Sequence, residues 1–373
     1  MSDRRSSVLD WLSDRLNLTE IFSLLTSYGL FYAELDTSKP LREALADAAR
    51  RPMRSYARWP RGLGLMVVVL MAIELVTGGL LALYYLPTPE SAHASLGTML
   101  RDVHFGWFVH QIHFWGAQLL VVVLIVRLLS FYLRRVYSPP RELTWVFAAL
   151  LLLVCLHLDL TGRVLPMTAN AFWSAVRSLE VVAAVPLYGP LAIFLLGGEQ
   201  TFVSDLSLIR FYVLHVAVLP IVAVTLIYLH FSGVRRVGLS MLGEDRPRVG
   251  GTQMRMHVAN LAIVLALLFG LLVSLAVLVP VPFQVAADPY STPAGVRPPW
   301  YLLASFGFLE WTSGVLPQWI AGGLLLLGFL TFIVVPFVDR VRPGGKGRAL
   351  RLSLAILAVL AWILFTLYGA RVA

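Results

Sequence analysis

Phe105-Gly-Trp-Phe-Val-His-Gln-Ile-His113 opens an apolar run that reaches Tyr132. Its counterpart is Arg210-Phe-Tyr-Val-Leu-His215, which opens a second run closing at Leu229-His230-Phe231. Both runs are long enough to cross a bilayer, which takes about 20 apolar residues. Each places a histidine just inside one end. An imidazole in hydrocarbon is costly and marks a functional position. Two helices that each present an inward histidine could hold a haem iron from both faces.

The chain around these runs is built for a membrane. Of its 373 residues, 58% are hydrophobic and only 14% charged, and the mean hydropathy is +0.77. A soluble domain sits nearer half apolar and a quarter charged, so a soluble enzyme is excluded. The net charge of +9 does not point to nucleic acid, because the basic residues gather in particular loops between spans. The single cysteine, Cys155, lies within an apolar run, so this chain alone supplies neither a disulfide nor a cysteine metal site.

Residues 1–61 read as a cytoplasmic surface segment, with short amphipathic patterns at Leu9–Leu16 and Thr37–Arg51 and no signal-peptide core. Seven spans follow, at about Leu63–Leu86, Phe105–Leu133, Leu143–Thr161, Ile209–Ser232, Met256–Val279, Gln318–Val338 and Ala349–Ala370. Gly162–Ser207 is expected to hold one or two short surface helices, and 280–316 carries prolines enough to argue against a helix. The N-terminal segment, Arg134–Arg141, Arg235–Arg255 and Arg340–Arg351 are basic, whereas the alternate loops carry few Lys or Arg. The positive-inside rule then sets the N-terminus in the cytoplasm. His113 and His215 fall at one depth near the outer ends of antiparallel spans; that side is termed p, the cytoplasmic side n. Gly64 and Gly78, 14 residues apart, share a face of the first span and would let something flat approach its backbone, or simply pack a neighbouring helix.

Taken together, Thr77-Gly78, Phe105-Gly106-Trp107, Arg141-Glu-Leu-Thr-Trp145, Gly162-Arg-Val-Leu-Pro166, Arg210-Phe-Tyr-Val-Leu-His215, Leu229-His230-Phe231, Pro298-Pro-Trp-Tyr301 and Pro336-Phe-Val-Asp339 resemble cytochrome b of the cytochrome bc complexes, over roughly residues 55–340. The likeness is strongest to the short chloroplast and cyanobacterial form fused to its companion subunit. It implies an all-α integral membrane protein, with a four-helix haem-binding bundle in 62–240 and three further spans in 241–373. It implies a subunit of a quinol:cytochrome c-type oxidoreductase in the bacterial cytoplasmic (inner) membrane. Haem b and quinol are its implied cofactor and substrate. Its implied partners are a Rieske iron–sulfur protein, a c-type cytochrome, a second cytochrome b chain and membrane lipid, with no nucleic acid.

Carried over by position, His113 and His215 match the ligands of the p-side haem, Gly64, Gly78 and Gly162 match the haem-edge glycines, and Arg210 matches a propionate partner. Trp300 and Tyr301 match the wall of the quinol pocket. The n-side ligands should follow by 14 or 15 residues. His230 stands in place on one span, but Arg127 stands on the other, and Ala148 replaces a glycine. A guanidinium has no free lone pair and cannot ligate iron. Either the n-side haem is absent, or it is held by His230 with Arg127 beside it. The family's Pro-Glu-Trp-Tyr reads Pro298-Pro299-Trp300-Tyr301 here, so the carboxylate that receives a quinol proton is missing. Glu310 and Asp288 are near in sequence, but spacing selects neither. His110 stands where a propionate-pairing Arg is usual, His157 and Asp159 are unusual within a span, and Glu74 is an acid mid-span. These departures leave an alternative open, a structural or assembly paralogue of cytochrome b with little turnover of its own.

Overall fold

The computed structural model describes residues 19–20, 22–23, 35–50, 62–196, 205–237, 254–339 and 345–373. Leu9–Leu16 and most of the Arg235–Arg255 loop lie outside them. The described helices are α1 Leu41–Arg50, α2 Gly62–Ala82, α3 Pro89–Asp102, α4 Gly106–Arg134, α5 Glu142–Val164, α6 Ala169–Ala183, α7 Tyr188–Leu196, α8 Asp205–Val213, α9 Leu219–Val237, α10 Met254–Leu278, α11 Leu303–Thr312, α12 Gln318–Val338 and α13 Gly345–Val372. Seven stretches are long and apolar enough to cross a membrane: α2, α4, α5, Ser207–Val234, α10, α12 and α13. The chain is a multi-pass, all-helical membrane protein.

The spans pack around two apolar layers. Leu70, Leu120, Leu124, Leu151, Ala223 and Leu272 close the centre between α2, α4, α5, α9 and α10. Leu128, Phe131, Tyr137, Trp145 and Ala148 close the end towards the α4–α5 turn. Much of the outer surface stays apolar: in Ser207–Val234 only 11% of the most hydrophobic window is buried within the chain. Such a surface suits lipid or another membrane chain.

Two sequence motifs far apart explain one another in this frame. Pro336 sits inside α12 and has no N–H to offer the Phe332 carbonyl one turn earlier. The indole N–H of Trp145, itself wholly buried, donates to that carbonyl at 3.0 Å. Three residues past Pro336, the Asp339 carboxylate accepts from the Tyr137 hydroxyl at 2.6 Å and pairs with Arg135 at 3.3 Å. The end of α4, the start of α5 and the end of α12 are thereby tied together.

On the other side the proline loop is stitched down by side chains. Gln111 of α4 donates to the Val281 carbonyl at 3.0 Å and accepts from its N–H at 2.9 Å. Trp115 donates to the Val279 carbonyl at 3.0 Å, and Ala169 and Ala287 form backbone bonds to Val285 and Met167. Backbone groups beside prolines need such outside partners. Prolines end at Pro299, so the later half of 280–316 is free to form α11, a helix the proline count argued against. The glycines of α11 and α13 meet there: a Cβ on Gly307 would lie 2.7 Å from the Gly369 nitrogen. Helix α3 was not expected either; Pro89 in its first turn is a favourable helix start.

Candidate functional site

His113 and His215 face each other across the bundle. Their ring centroids are 6.0 Å apart and their planes cross at 85°. A metal-bound imidazole nitrogen sits about 2.0 Å from its metal, so two rings sharing one ion have centroids roughly 6 Å apart. In both rings Nδ1 is engaged from behind. That of His215 donates to the Leu158 carbonyl at 3.0 Å. That of His113 lies 2.9 Å from Thr77 Oγ1, whose hydroxyl donates to Ile73, and 3.0 Å from Glu74 Oε2. An occupied Nδ1 leaves the Nε2 lone pair for a metal, the usual arrangement behind a ligating histidine.

Backbone geometry brings the rings in. His215 lies in a π turn, Leu214–Val218, where the Leu219 N–H reaches back to the Leu214 carbonyl. Pro220 supplies the cause, because it has no N–H for the Val216 carbonyl and its ring crowds that group. Gly78 and Gly162 are the floors on which the rings rest. A Cβ on Gly162 would overlap His215 Cε1 and lie 3.0 Å from both ring nitrogens; one on Gly78 would lie 3.1 Å from His113 Cε1.

The two histidines line a cavity of about 970 Å³ shared by Gly78, Glu74, His110, Gln118, Asp159, Gly162, Arg163, Arg297, Pro298, Pro299 and Trp300. It lies at the upper end of ligand pockets, which run about 300–1,000 Å³. His110 turns a buried Nδ1 with no partner among the described residues, a donor suited to an acidic group of a cofactor. Facing imidazoles, glycine floors and an orphaned donor together fit a haem. Arg210, the expected propionate partner, is exposed and reaches the Phe194 carbonyl at 3.5 Å, away from the cavity wall.

The second position behaves differently. His230 Nδ1 donates to the Thr144 carbonyl at 2.8 Å, again leaving Nε2 as the acceptor. That acceptor is taken by Arg127, whose Nη2 lies 2.9 Å away. Both side chains are buried, at 4% and 3% exposure. The guanidinium also lies over Phe131, 4.8 Å from its ring centre. Its other edge rests on Gly64, where a Cβ would overlap Nη1 and lie 3.2 Å from Cζ. Gly64 thus makes room for the arginine, and Ala148 closes the neighbouring core. With the imidazole lone pair engaged and a cation opposite it, these residues do not fit a haem.

Trp300 and Tyr301 come together with α4 and α5 through polar bonds. The Trp300 indole donates to Gln118 Oε1 at 2.9 Å, and Gln118 Nε2 donates to Asp159 Oδ1 at 2.5 Å. The Tyr301 hydroxyl donates to Asp159 Oδ2 at 2.5 Å, and Arg163 pairs with the same oxygen at 2.9 Å. Burial first, and then the Asp159 charge, push the Tyr301 hydroxyl well above the ordinary tyrosine range. His157, two residues from Asp159, points elsewhere and bonds Tyr188 and the Leu153 carbonyl. Residues two apart on a helix do not share a face. Glu310 and Asp288 are both exposed and off the cavity wall. Asp159 was readable as an odd acid, but its partner Tyr301 is 142 residues away and no local signal links them.

Comparison with known proteins bears on the family and the fold. Residues 50–238 match the family described as cytochrome b/b6/petB, and residues 286–373 match cytochrome b (C-terminal)/b6/petD. A cytochrome bc complex cytochrome b subunit from Chlorobaculum thiosulfatiphilum is 33% identical over 312 residues, 82% of this chain and 72% of the relative. Cytochrome b6 from Heliobacterium modesticaldum is 36% identical over 179 residues, 48% of this chain and 83% of the relative. Among solved structures, a chain of a hyperthermophilic respiratory Complex III superposes with a TM-score of 0.70 at 21% identity, covering 97% of this chain and 98% of its own, which speaks for the fold.

Proposed function

The chain belongs to the cytochrome b family, and we propose that it is the cytochrome b subunit of a membrane quinol-oxidising bc-type complex that works with one haem b, held on the p side by His113 and His215. The observation that carries this reading is the contrast between two matched positions. His113 and His215 stand 6.0 Å apart with acceptors behind each Nδ1, whereas His230 Nε2 is committed to Arg127 at 2.9 Å.

Haem bound there supplies one-electron transfer close to the quinol pocket. The protein's part is ligation, orientation and dryness. Thr77, Glu74 and Leu158 hold the imidazole tautomers that leave Nε2 free, and His110 is placed to donate to a propionate. Trp300 lines the cavity as the wall of the quinol position, held by Gln118, and Tyr301, off the lining, braces it from behind through Asp159. A quinol held beside Trp300 would have two electrons to give, and the haem that His113 and His215 would hold could take one, with an iron–sulfur centre of a partner subunit as the acceptor for the other. The family resemblance supplies that Rieske protein, a c-type cytochrome and a second cytochrome b chain, identical or not. The apolar face of Ser207–Val234 supports a lipid or second-chain neighbour. The basic loops support a cytoplasmic N-terminus, and the family resemblance is the ground for a bacterial inner membrane. Residues 62–240 then form the haem-binding unit and 241–373 the quinol-loop unit, behind a surface segment at 1–61.

A second reading, a paralogue that only supports assembly, is favoured by the Arg127–His230 bond and by Pro299 in place of an acid. One experiment separates the two. The chain is purified in detergent within its complex, with haem and the iron–sulfur subunit that takes the second electron, and mixed anaerobically with decylubiquinol or a reduced naphthoquinone while b-type absorbance is followed. Rapid reduction, absent in His113→Ala and His215→Ala, supports electron transfer. A haem that quinol does not reduce, or a chain without haem, overturns it.

A further inference from the structure

We propose that Asp159 is the group that takes the quinol proton in this chain. The inference rests on the quinol-oxidising reading above and names the residue it leaves open.

Four observations converge on it. Among the described residues lining the cavity, the carboxylates are Glu74 and Asp159. Glu74 holds His113 Nδ1 through Oε2 at 3.0 Å and turns its Oε1, unpartnered among the described residues, to Gly116, with no bond to the proline loop, while Asp159 stands against Trp300 and Tyr301 through Gln118 and the Tyr301 hydroxyl. The acids near the proline loop in sequence, Asp288 and Glu310, are exposed and do not line the cavity. Finally, the bonds to Asp159 are unevenly shared. Oδ2 accepts from Tyr301 at 2.5 Å and from Arg163 Nε and Nη2 at 3.0 and 2.9 Å, whereas Oδ1 accepts from Gln118 at 2.5 Å. An ionised carboxylate has about four acceptor positions, two on each oxygen. One therefore remains on Oδ1, on a side chain that lines the cavity.

The charged and titratable groups around Asp159 have separate parts. Arg163, one turn on along α5, pairs with Oδ2 at 2.9 Å and leaves Oδ1 to face its other partners. Tyr301 from the loop donates and stays neutral. Glu74 of α2, Arg297 of the loop and His215 of the π turn line the same cavity. In the step itself the quinol O–H bond breaks and a hydrogen–Oδ1 bond forms. The quinol is left as its monoanion and no electron moves.

The bland reading is that Asp159 and Arg163 form a buried helical ion pair and nothing more. The two readings differ in stopped-flow reduction of the bound haem by decylubiquinol in the purified complex, where the iron–sulfur subunit takes the second electron. Asp159→Asn is expected to slow it by about 100-fold or more, the range of lost proton transfer, with haem content and the dithionite-reduced spectrum unchanged. Asp159→Glu, which keeps a carboxylate, is expected to stay within about tenfold of the parent. An Asp159→Asn chain with its haem intact that is reduced within about threefold of the parent rate overturns the proposal and leaves the quinol-oxidising reading standing. A parent chain that quinol does not reduce removes that reading itself. A second measurement needs no substitution. In the unaltered chain labelled with carboxyl-¹³C aspartate, the infrared difference spectrum of quinol oxidation should show a protonated-carboxyl band shifted by the label. A spectrum without a label-sensitive carboxyl band overturns the assignment.

Discussion

Gly162→Ala and Gly78→Ala differ by one methyl group at symmetric-looking places, and the structure predicts unequal consequences. On Gly162 the new Cβ overlaps His215 Cε1 and lies 3.0 Å from Nδ1 and Nε2, while on Gly78 only His113 Cε1 comes close, at 3.1 Å, with the nitrogens at 3.7 and 3.8 Å. Comfortable carbon contacts need about 3.5–4.0 Å, so the His215 ring must retreat by at least roughly 0.5 Å and the His113 ring by a few tenths. Without haem, either ring can turn aside. With haem, iron holds Nε2 and the Leu158 carbonyl holds Nδ1 at 3.0 Å, so the strain falls on the bound state. Overpacking of this kind costs about 1–3 kcal/mol, which is roughly 5- to 150-fold in haem affinity. Haem retained after purification and hemin titration of the stripped protein would measure it. The expected order is parent, then Gly78→Ala, then Gly162→Ala far behind. A Gly162→Ala chain that holds haem as tightly as the parent while Gly78→Ala loses it would refute the ring placement.

Three further outcomes follow from the same packing. Trp145→Phe should lower thermal stability by about 1–3 kcal/mol, since it strands the buried Phe332 carbonyl; in a Pro336→Ala background, where the helix supplies an N–H, the loss should shrink, as a double-mutant cycle would read. Arg127→His should open the n-side position and raise bound haem above the parent level, because His230 Nε2 loses its donor and Gly64 leaves space; unchanged haem content would count against the arginine as the plug. Tyr301 has a raised folded-state pKa, so its share of stability is present below the free tyrosine range, about pH 10, and is lost as pH rises further. Melting between pH 9 and 11 should therefore fall less steeply in Tyr301→Phe than in the parent, although Tyr301→Phe starts lower by one hydrogen bond to a charged group; identical slopes would contradict the buried Asp159 contact.

Apolar runs and basic loops made the seven spans legible, and their ends agree with the structure to within a few residues. His113 and His215 were legible as imidazoles inside apolar runs, whereas the expectation of partners 14 or 15 residues on came from the family resemblance. Other features depend on contacts that spacing cannot encode. Arg127 was readable as a mismatch, but only the packed bundle brings it onto His230 and Gly64, so that a glycine expected at a haem edge accommodates a guanidinium instead. The π turn at His215 carried a signal in Pro220, five residues on, whose meaning depends on a helix continuing through it. Asp159 stood out as an acid in an apolar run, yet its tie to Tyr301 joins elements from opposite ends of the chain. Arg210 shows the reverse: the motif transfers by position, but here the side chain is exposed and turned to Phe194.

The most direct test of the account is the number of b haems per chain, by pyridine haemochrome against quantitative amino-acid analysis of the purified protein. One haem, lost in His113→Ala and in His215→Ala but kept in His230→Ala, is the predicted result. Two haems per chain, with one lost when His230 is replaced, would contradict the claim that Arg127 has taken the n-side position.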